Sequence, residues 1–311
     1  MFIAAHGALG WAYFYKFFLR ALNQTVTRRR SAFREVGRSW MSQRSAAEES
    51  IAVIKVGGSI LASAKAYRRA ATFVRHTLRT APHERLVVVV SAQKGITDRL
   101  ERGARKIVRE PARAALDLLW STGEIRSVAL LTLHLQGLGV AAAPLNIHEA
   151  GLTVPETESE AGRIHLHAGR LRSVLATFPI AVVPGFLAAN SANTIVALGR
   201  GGSDLTAVLL AEGLRACRCE LIKDVPGYFT ADPHIDSSAR HIPHLTFEHA
   251  LQLAAEGCDL VQRRAIEAAA RAGMPLVIRS VDEKASYSRI SHFAMETARA
   301  PRESSAAASA D

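Results

Sequence analysis

Short, continuous apolar runs alternate along this chain with longer segments in which apolar residues recur at helical spacing. The runs are typical of strands that are buried on both faces, and they fall at residues 51–56, 86–90, 180–183, 219–222 and, as the last strand, 276–279. The helical segments fall at residues 65–78, 98–108, 114–138, 247–256 and 265–272. Strands that alternate with helices in this way predict an α/β fold, a three-layer α/β/α sandwich with a mostly parallel open sheet.

The segment richest in glycine and polar residues is LGRGGSDLTA, residues 198–207, which runs directly into an amphipathic helix. Its three glycines let the backbone approach a ligand closely, and Ser203 and Asp204 are favourable residues at a helix start. Free N–H groups at a helix start attract anions, and Arg200 adds a bidentate grip on a carboxylate or phosphate. The segment therefore predicts an anion site, with an ordinary glycine-rich surface turn as the alternative.

A lysine at the end of the first apolar run points to similar chemistry. Lys55 precedes Gly57 and Gly58, and a lysine in a buried strand is costly unless its ammonium group reaches an anion. The segment is not a Walker A loop, and residues 199–201 lack the further glycine of a dinucleotide-binding fingerprint. Two glycine-rich segments that each carry a cation favour phosphoryl transfer over hydride transfer, because phosphoryl transfer depends on positioning and charge neutralisation.

Two further motifs each have a functional and an ordinary structural interpretation. The sequence from Ser121 to Glu124 is predicted to open a helix, either within a site or as a simple cap whose glutamate stabilises the helix dipole. The segment DVPGYFTADP, residues 224–233, follows a predicted strand and contains two proline turns, which either line a site or are simple turns.

Composition and charge limit the classes of partner. The net charge is +11, which favours acidic small molecules such as phosphates and carboxylates. No zinc-finger spacing or RNA-binding aromatic motif is present, so we expect no nucleic-acid partner. The cysteines, Cys217, Cys219 and Cys258, cannot build a disulfide framework, and we expect them to be reduced in a cytoplasmic protein. The apolar run at residues 8–19 is too short to span a membrane.

Six motifs occur in order along the chain: KVGGS at 55–59, SAQKGITD at 91–98, GEIRS at 123–127, GF at 185–186, LGRGGSDLTA at 198–207 and DVPGYFTADP at 224–233. Together they resemble the catalytic domain of the aspartate kinases, in the amino acid kinase family, over about residues 51–280. The resemblance implies ATP-dependent phosphorylation of the β-carboxylate of L-aspartate to 4-phospho-L-aspartate. That reaction is the first step of the aspartate-derived pathway to lysine, threonine and methionine.

The resemblance also implies roles for individual residues. Lys55 is expected to neutralise the transferring phosphoryl group, and Asp204 to position the phosphate and the Mg²⁺ that ATP carries, so these two residues are expected to be catalytic. The residues expected to bind aspartate are Glu124, for its ammonium group, Arg200, for its α-carboxylate, and Ser91, Thr97 and Ser203. The residues expected to bind ATP are Lys55, Gly57, Gly58, Ser59, Gly201, Gly202, Lys223, Asp224, Phe229 and Asp232. The β-carboxylate of aspartate is itself the nucleophile, so no enzyme base is expected.

The chain departs from the family pattern in the half that is expected to bind the nucleotide. Phe229 and His234 stand where tyrosine and arginine are usual, and the segment GCDLVQR stands where the family has GAKVLHP. Asp259 thus replaces a lysine that helps to bind ATP phosphates, and Lys223 or Arg263 are candidates to compensate. Two alternatives stay open: a catalytically weak paralogue that acts as a binding or regulatory subunit, or a family member with a different carboxylate acceptor.

The domain organisation follows from the same patterns. Residues 1–50 carry eight Lys and Arg against three Asp and Glu, and we expect a poorly ordered basic extension. A helix lying on an anionic membrane surface is the alternative for this segment. Residues 51–280 form the expected catalytic domain, and residues 281–311 a tail too short for the paired regulatory domains of the family. We therefore expect no feedback by lysine or threonine, and a homodimer is left open.

Overall fold

The computed structural model describes residues 50–155, 164–199, 201–233, 235–282 and 285–293. The predicted basic extension up to residue 49 and the tail from residue 294 lie outside the described residues, as do Arg200 and His234. Among the described residues, no helix is both long and apolar enough to cross a membrane.

The described strands, in chain order, are β1 Ser50–Val56, β2 Glu84–Val90, β3 Ala142–Pro144, β4 Leu152–Val154, β5 His165–Leu166, β6 Ile180–Pro184, β7 Leu187–Asn190, β8 Ile195–Ala197, β9 Arg218–Ile222, β10 Tyr228–Phe229, β11 His241–Ile242, β12 His244–Thr246, β13 Leu276–Arg279 and β14 Ser288–Ser291. The described helices are α1 Ala64–Thr80, α2 Ile96–Ile107, α3 Arg113–Gly137, α4 Ile147–Ala150, α5 Gly169–Leu175, α6 Gly202–Leu214, α7 Phe247–Ala255 and α8 Arg263–Ala272.

One eight-stranded sheet organises these elements, in the order β12-β14-β13-β9-β1-β2-β6-β3. All neighbouring strands from β13 to β3 pair in parallel, and β14 pairs antiparallel to β13. Smaller sheets form from β5-β4-β7-β8 and from β10-β11. The prediction of an α/β fold with a mostly parallel open sheet is therefore confirmed.

Helices cover both faces of the large sheet, because the central strands are apolar on both sides. Val53 and Val87 belong to one core cluster, which includes residues of α5 to α8. Ile54 and Val88 belong to a second cluster on the other face, packed with residues of α1 and α3. Lys55 lies two residues after Val53, so its side chain leaves the strand on the face that α6 covers.

Two sequence predictions about elements are wrong. The segment from Ser121 to Glu124 does not open a helix but lies in the middle of α3, which begins at Arg113. Gly123 does not break α3, and an added Cβ there would lie only 3.1 Å from the Cβ of Ala92, so its small size permits close packing. The strand at residues 276–279 is not the last, because β14 follows it; the alternating sequence SRIS carries no continuous apolar run.

Candidate active site

A buried carboxylate between two lysines forms the centre of the site. Lys55 Nζ lies 2.7 Å from Asp204 Oδ1, and Lys223 Nζ lies 2.8 Å from Asp204 Oδ2. Lys55 belongs to β1, Lys223 directly follows β9, and Asp204 lies in the first turn of α6. Since β1 and β9 are parallel neighbours, their carboxyl ends bring both ammonium groups to one edge of the sheet. Lys55 and Asp204 therefore lie at the same edge of the sheet.

The electrostatics of the cluster keep Asp204 ionised. Burial alone would raise the pKa of this carboxyl, which is only 3% exposed, but the ammonium groups of Lys55 and Lys223 hold its pKa well below the usual range. Burial lowers the pKa of Lys223, and the neighbouring Lys55 acts in the same direction, while Asp204 opposes the shift. The two cations and one anion leave a net positive charge in a buried place, which suits a further anion.

The glycines after β1 form a close-packed loop beside Lys55. A Cβ on Gly58 would lie 2.3 Å from the carbonyl oxygen of Ala92, so no larger residue fits without backbone movement. The N–H of Lys94 donates to the Gly58 carbonyl (3.0 Å), which ties this loop to the loop after β2. A Cβ on Gly57 would have Lys55 Nζ at 3.6 Å and Ser59 Oγ at 3.8 Å, so these groups surround Gly57.

The glycine-rich turn begins α6 with backbone groups rather than side-chain caps. Gly201 is the N-cap, with φ of 72°, a conformation that favours glycine, and no side chain caps the helix. Ser203 and Asp204 lie inside the first turn, and the Asp204 carboxylate contacts the lysines instead. A Cβ on Gly201 would lie 2.1 Å from Cγ of Gln262, so the turn and the segment before α8 are tightly packed. The arrangement provides the helix start and backbone N–H groups that an anion site needs.

Glu124 is a second buried carboxyl of the predicted set. It lies on α3, is 3% exposed, and its Oε2 has no hydrogen-bond partner among the described residues. Burial raises its pKa from 4.5 to about 8, against the lowering effects of a backbone hydrogen bond from Ala92 and of Lys55. A buried carboxyl with a free oxygen is a natural site for an ammonium group of a ligand.

Comparison with known proteins identifies the family. The profile of the amino acid kinase family matches residues 50–280, about three quarters of the chain. The chain belongs to the amino acid kinase family. It is 36% identical over 230 residues to the aspartokinase of Geobacillus stearothermophilus, an alignment that covers 74% of this chain and 56% of that protein. The chain thus spans about half the length of the curated relatives it matches.

Solved structures agree with this membership. The aspartate kinase from Synechocystis superposes with a TM-score of 0.69 at 33% identity, over 80% of this chain and 41% of that one. Escherichia coli aspartokinase III, in complex with aspartate and ADP, superposes with a TM-score of 0.64 at 26% identity, over 78% of this chain and 64% of that one. These similarities extend the family assignment to the arrangement of the whole sheet.

The other predicted residues are those expected to bind aspartate and those expected to bind the nucleotide. Ser91 follows β2 and its N–H donates to the Val56 carbonyl at the end of β1, while Thr97 lies in the first turn of α2. Asp224 directly follows Lys223 and is exposed, and Phe229 stacks edge-on against His241 (5.4 Å). Roles for Asp224, Phe229 and Asp232 in nucleotide binding stay predictions, and Arg200 lies outside the described residues.

Sequence reasoning missed two contacts from the segment around the start of α8. The N–H of Gln262 lies 3.5 Å from Asp204 Oδ2, and Arg264 Nη1 donates to the Leu198 carbonyl (2.8 Å). The departure of GCDLVQR from the family pattern drew attention to this segment. The contacts themselves could not be predicted, because they depend on how α8 packs against the glycine-rich turn. Of the two candidates for compensating Asp259, Arg263 pairs with Glu267 on its own helix (2.8 Å), whereas Lys223 joins the central cluster.

Proposed function

We propose that this chain carries the catalytic domain of an ATP-dependent aspartate kinase, which transfers the γ-phosphoryl group of ATP to the β-carboxylate of L-aspartate. The observation that carries the proposal is the contact of Lys55 and Lys223 with opposite oxygens of the buried Asp204. The product, 4-phospho-L-aspartate, then feeds the pathway to lysine, threonine and methionine.

The cluster supplies the electrostatic part of phosphoryl transfer. The transferring group spreads negative charge over its equatorial oxygens, and cations positioned beforehand stabilise that charge. Lys55 and Lys223 are held near each other by the Asp204 carboxylate, so they need little reorganisation when phosphate arrives. The β-carboxylate of the acceptor is already a nucleophile, and Asp204 therefore positions the lysines rather than removing a proton.

The residues fit a magnesium ion carried by the nucleotide. Among the described residues, no group of three or more His, Cys, Asp or Glu side chains could hold a metal by itself. Both oxygens of Asp204 face ammonium groups, so this carboxylate adds at most a minor share of ligands. Mg²⁺ commonly binds through substrate phosphates and waters with one or two carboxylates, and it supplies charge neutralisation on the phosphate oxygens.

The acceptor end of the site suits an amino acid. Glu124 offers a buried carboxyl oxygen that no described residue contacts by a hydrogen bond, which matches an α-ammonium group and would repel a nucleoside monophosphate. Escherichia coli aspartokinase III, whose structure holds aspartate and ADP, supports both the acceptor and the nucleotide. Cytoplasmic location and a homodimer remain parts of the same proposal.

A hydroxamate assay with Mg-ATP tests the proposal directly, because hydroxylamine traps an acyl phosphate product. The acceptors are L-aspartate, L-glutamate and N-acetyl-L-glutamate, and we expect product from aspartate. Lys55→Met removes one ammonium group and should lower kcat by about 100- to 1000-fold, the usual cost of losing a transition-state charge contact. Arg105→Gln is the matched control, since Arg105 is exposed and pairs with Glu101 on α2.

The two parts of the proposal fail differently. Turnover of glutamate or N-acetylglutamate without turnover of aspartate rejects the acceptor and keeps the reaction. Full activity in Lys55→Met rejects the role of the lysine cluster. No acyl phosphate from any acceptor, together with weak or absent Mg-ATP binding by calorimetry, supports the alternative of a binding or regulatory subunit, and ordinary Mg-ATP affinity removes it.

A further inference from the structure

The indole of Trp120 carries a buried donor that finds no acceptor in the described part of the chain. Trp120 lies on α3, three residues after Asp117 and four before Glu124, so the three side chains share one face of the helix. Asp117 and Glu124 are both buried. The Nε1–H group of Trp120 is buried as well, and it has no hydrogen-bond partner among the described residues.

Contacts that do not involve the N–H group fix the position of this ring. The ring of Phe186 lies 6.0 Å from the indole centroid at an angle of 60°. The guanidinium group of Arg113 lies over the indole, 5.5 Å from its centroid, and is itself held by Asp117 (2.7 Å) and by the Ala197 carbonyl (3.1 Å). The ring is therefore packed in place while the described residues leave its one polar atom without an acceptor, a cost that an acceptor on a bound ligand would remove.

Phe186 connects the indole to the glycine-rich turn. The Phe186 N–H donates to Thr206 Oγ1 on α6 (3.1 Å), and the Leu198 N–H donates to the Phe186 carbonyl (2.7 Å). A Cβ on Gly202 would lie 3.2 Å from Cα of Phe186, so this residue packs directly on the start of α6. The indole ring of Trp120 thus packs, through Phe186, against the start of α6, which carries Asp204, while its own helix α3 carries Glu124.

The two unpartnered atoms on this face of α3 are chemically complementary to one kind of ligand. Glu124 Oε2 is an acceptor and Trp120 Nε1–H is a donor, one helical turn apart. An α-amino acid presents an ammonium group and a carboxylate on the same carbon atom. Glu124 Oε2 matches the ammonium group, and Trp120 Nε1–H matches the carboxylate.

We propose that Trp120 Nε1–H donates a hydrogen bond to the α-carboxylate of the amino acid acceptor and thereby selects α-amino acids with a free α-carboxylate. The proposal rests on the function proposed above, because it places the acceptor beside Glu124. It assigns the acceptor site a residue that the six sequence motifs do not include.

Kinetics of Trp120→Phe test the proposal, since phenylalanine keeps an aromatic ring and loses the donor. A hydrogen bond to a charged group predicts a KM for aspartate raised by about 10- to 100-fold, with a much smaller change in kcat. L-Aspartate α-amide keeps the β-carboxylate and the ammonium group but has no α-carboxylate charge. We expect the variant to discriminate between aspartate and this amide about tenfold less than the wild type does. An unchanged midpoint of thermal unfolding shows that the variant is folded.

Fluorescence gives a second readout that requires binding but no turnover. The chain has three tryptophans, and in Trp11→Phe/Trp40→Phe only Trp120 remains. Aspartate should shift the emission of this variant saturably, and the kinetic constants of the double variant serve as its control. Unchanged emission at aspartate concentrations that saturate turnover, or an unchanged KM and unchanged discrimination in Trp120→Phe, overturns the inference.

The two proposals can be separated experimentally. If the wild type does not phosphorylate aspartate, the proposed function fails, and the fluorescence titration is repeated with glutamate and other α-amino acids. A saturable shift with one of them sustains the role of Trp120 in a different acceptor site. No shift with any α-amino acid overturns that role.

Discussion

Replacing Glu124 with glutamine is expected to stabilise the fold while it weakens the acceptor site. Glu124 is 3% exposed, and burial raises its pKa from 4.5 to about 8. The folded state therefore binds this proton more tightly than the unfolded state does. The stability of the wild type is then highest at low pH and declines as pH rises from about 4.5 through about 8. Glutamine resembles the protonated carboxyl in shape and does not titrate.

The size of the effect follows from the gap between the two pKa values. Each pH unit above 4.5 and below about 8 costs the wild type about 1.4 kcal/mol, because the unfolded state releases the proton and the folded state retains it. Glu124→Gln should therefore be more stable than the wild type by about 2 kcal/mol at pH 6 and by about 4 kcal/mol near pH 8. The difference should disappear near pH 4, where both states of the wild type are protonated.

Urea unfolding at half-unit steps between pH 5 and pH 8.5 measures this difference. Glu212→Gln is the control, because Glu212 is an exposed carboxyl on α6 and should show no pH-dependent gain. Glu124→Gln should also lose most of its affinity for aspartate, since glutamine offers no negative charge to the ammonium group. A stability difference that does not change with pH, or a less stable variant at pH 8, refutes the reasoning from burial.

Three further predictions follow from the same geometry. Ionised Glu124 is the form that binds an ammonium group, so the KM for aspartate should fall several-fold between pH 6.5 and pH 8.5. Initial rates measure this change, and a KM that rises with pH contradicts the prediction. Gly58→Ala should lower the free energy of unfolding by about 1–3 kcal/mol in urea denaturation, because its Cβ would lie 2.3 Å from the Ala92 oxygen. The matched control is Gly103→Ala in α2, whose Cβ would have no atom within 4 Å and which should be neutral or stabilising in the same experiment. Asp259→Lys should tighten Mg-ATP binding by about tenfold in calorimetry, with Glu248→Lys on α7 as the control, and equal gains in both variants would show only a general charge effect.

The sheet could be predicted from the sequence because it depends on local patterns, whereas the pairing of Asp204 with Lys55 and Lys223 appears only in the fold. Continuous apolar runs identify the parallel strands, and parallel strands necessarily bring Lys55 and the residues after β9 to one edge. The polar residues Ser288, Arg289 and Ser291 concealed β14, because Ile290 is the one apolar residue of this four-residue strand, which pairs with β12 on one side and β13 on the other. The helix α3 was predicted at nearly its full length, but the segment from Ser121 to Glu124 was wrongly interpreted as a helix start.

Contacts between distant segments could not be predicted from the same patterns. The approach of Gln262 to Gly201, and of Arg264 to Leu198, depends on how α8 packs against the start of α6. The unsatisfied indole of Trp120 is likewise a property of the folded state, because a tryptophan in a helical pattern normally indicates only a core position.

The position of Lys223 bears on the charge lost at Asp259. The resemblance implies a lysine at position 259, where this chain has an aspartate, and Lys223 is a candidate to compensate. Asp259 is exposed and carries a negative charge. Arg263 pairs with Glu267 on its own helix, so it does not supply a cation to the central cluster. Lys223 has a side chain that is 13% exposed and touches Asp204, where Lys55 also lies, so the added cation belongs to the central cluster. Coulomb energy falls with distance and rises with burial, so one cation at this position can offset a more exposed one. For the proposed kinase, this charge arrangement predicts turnover with a raised KM for ATP, measured by initial rates, rather than an inactive binding subunit.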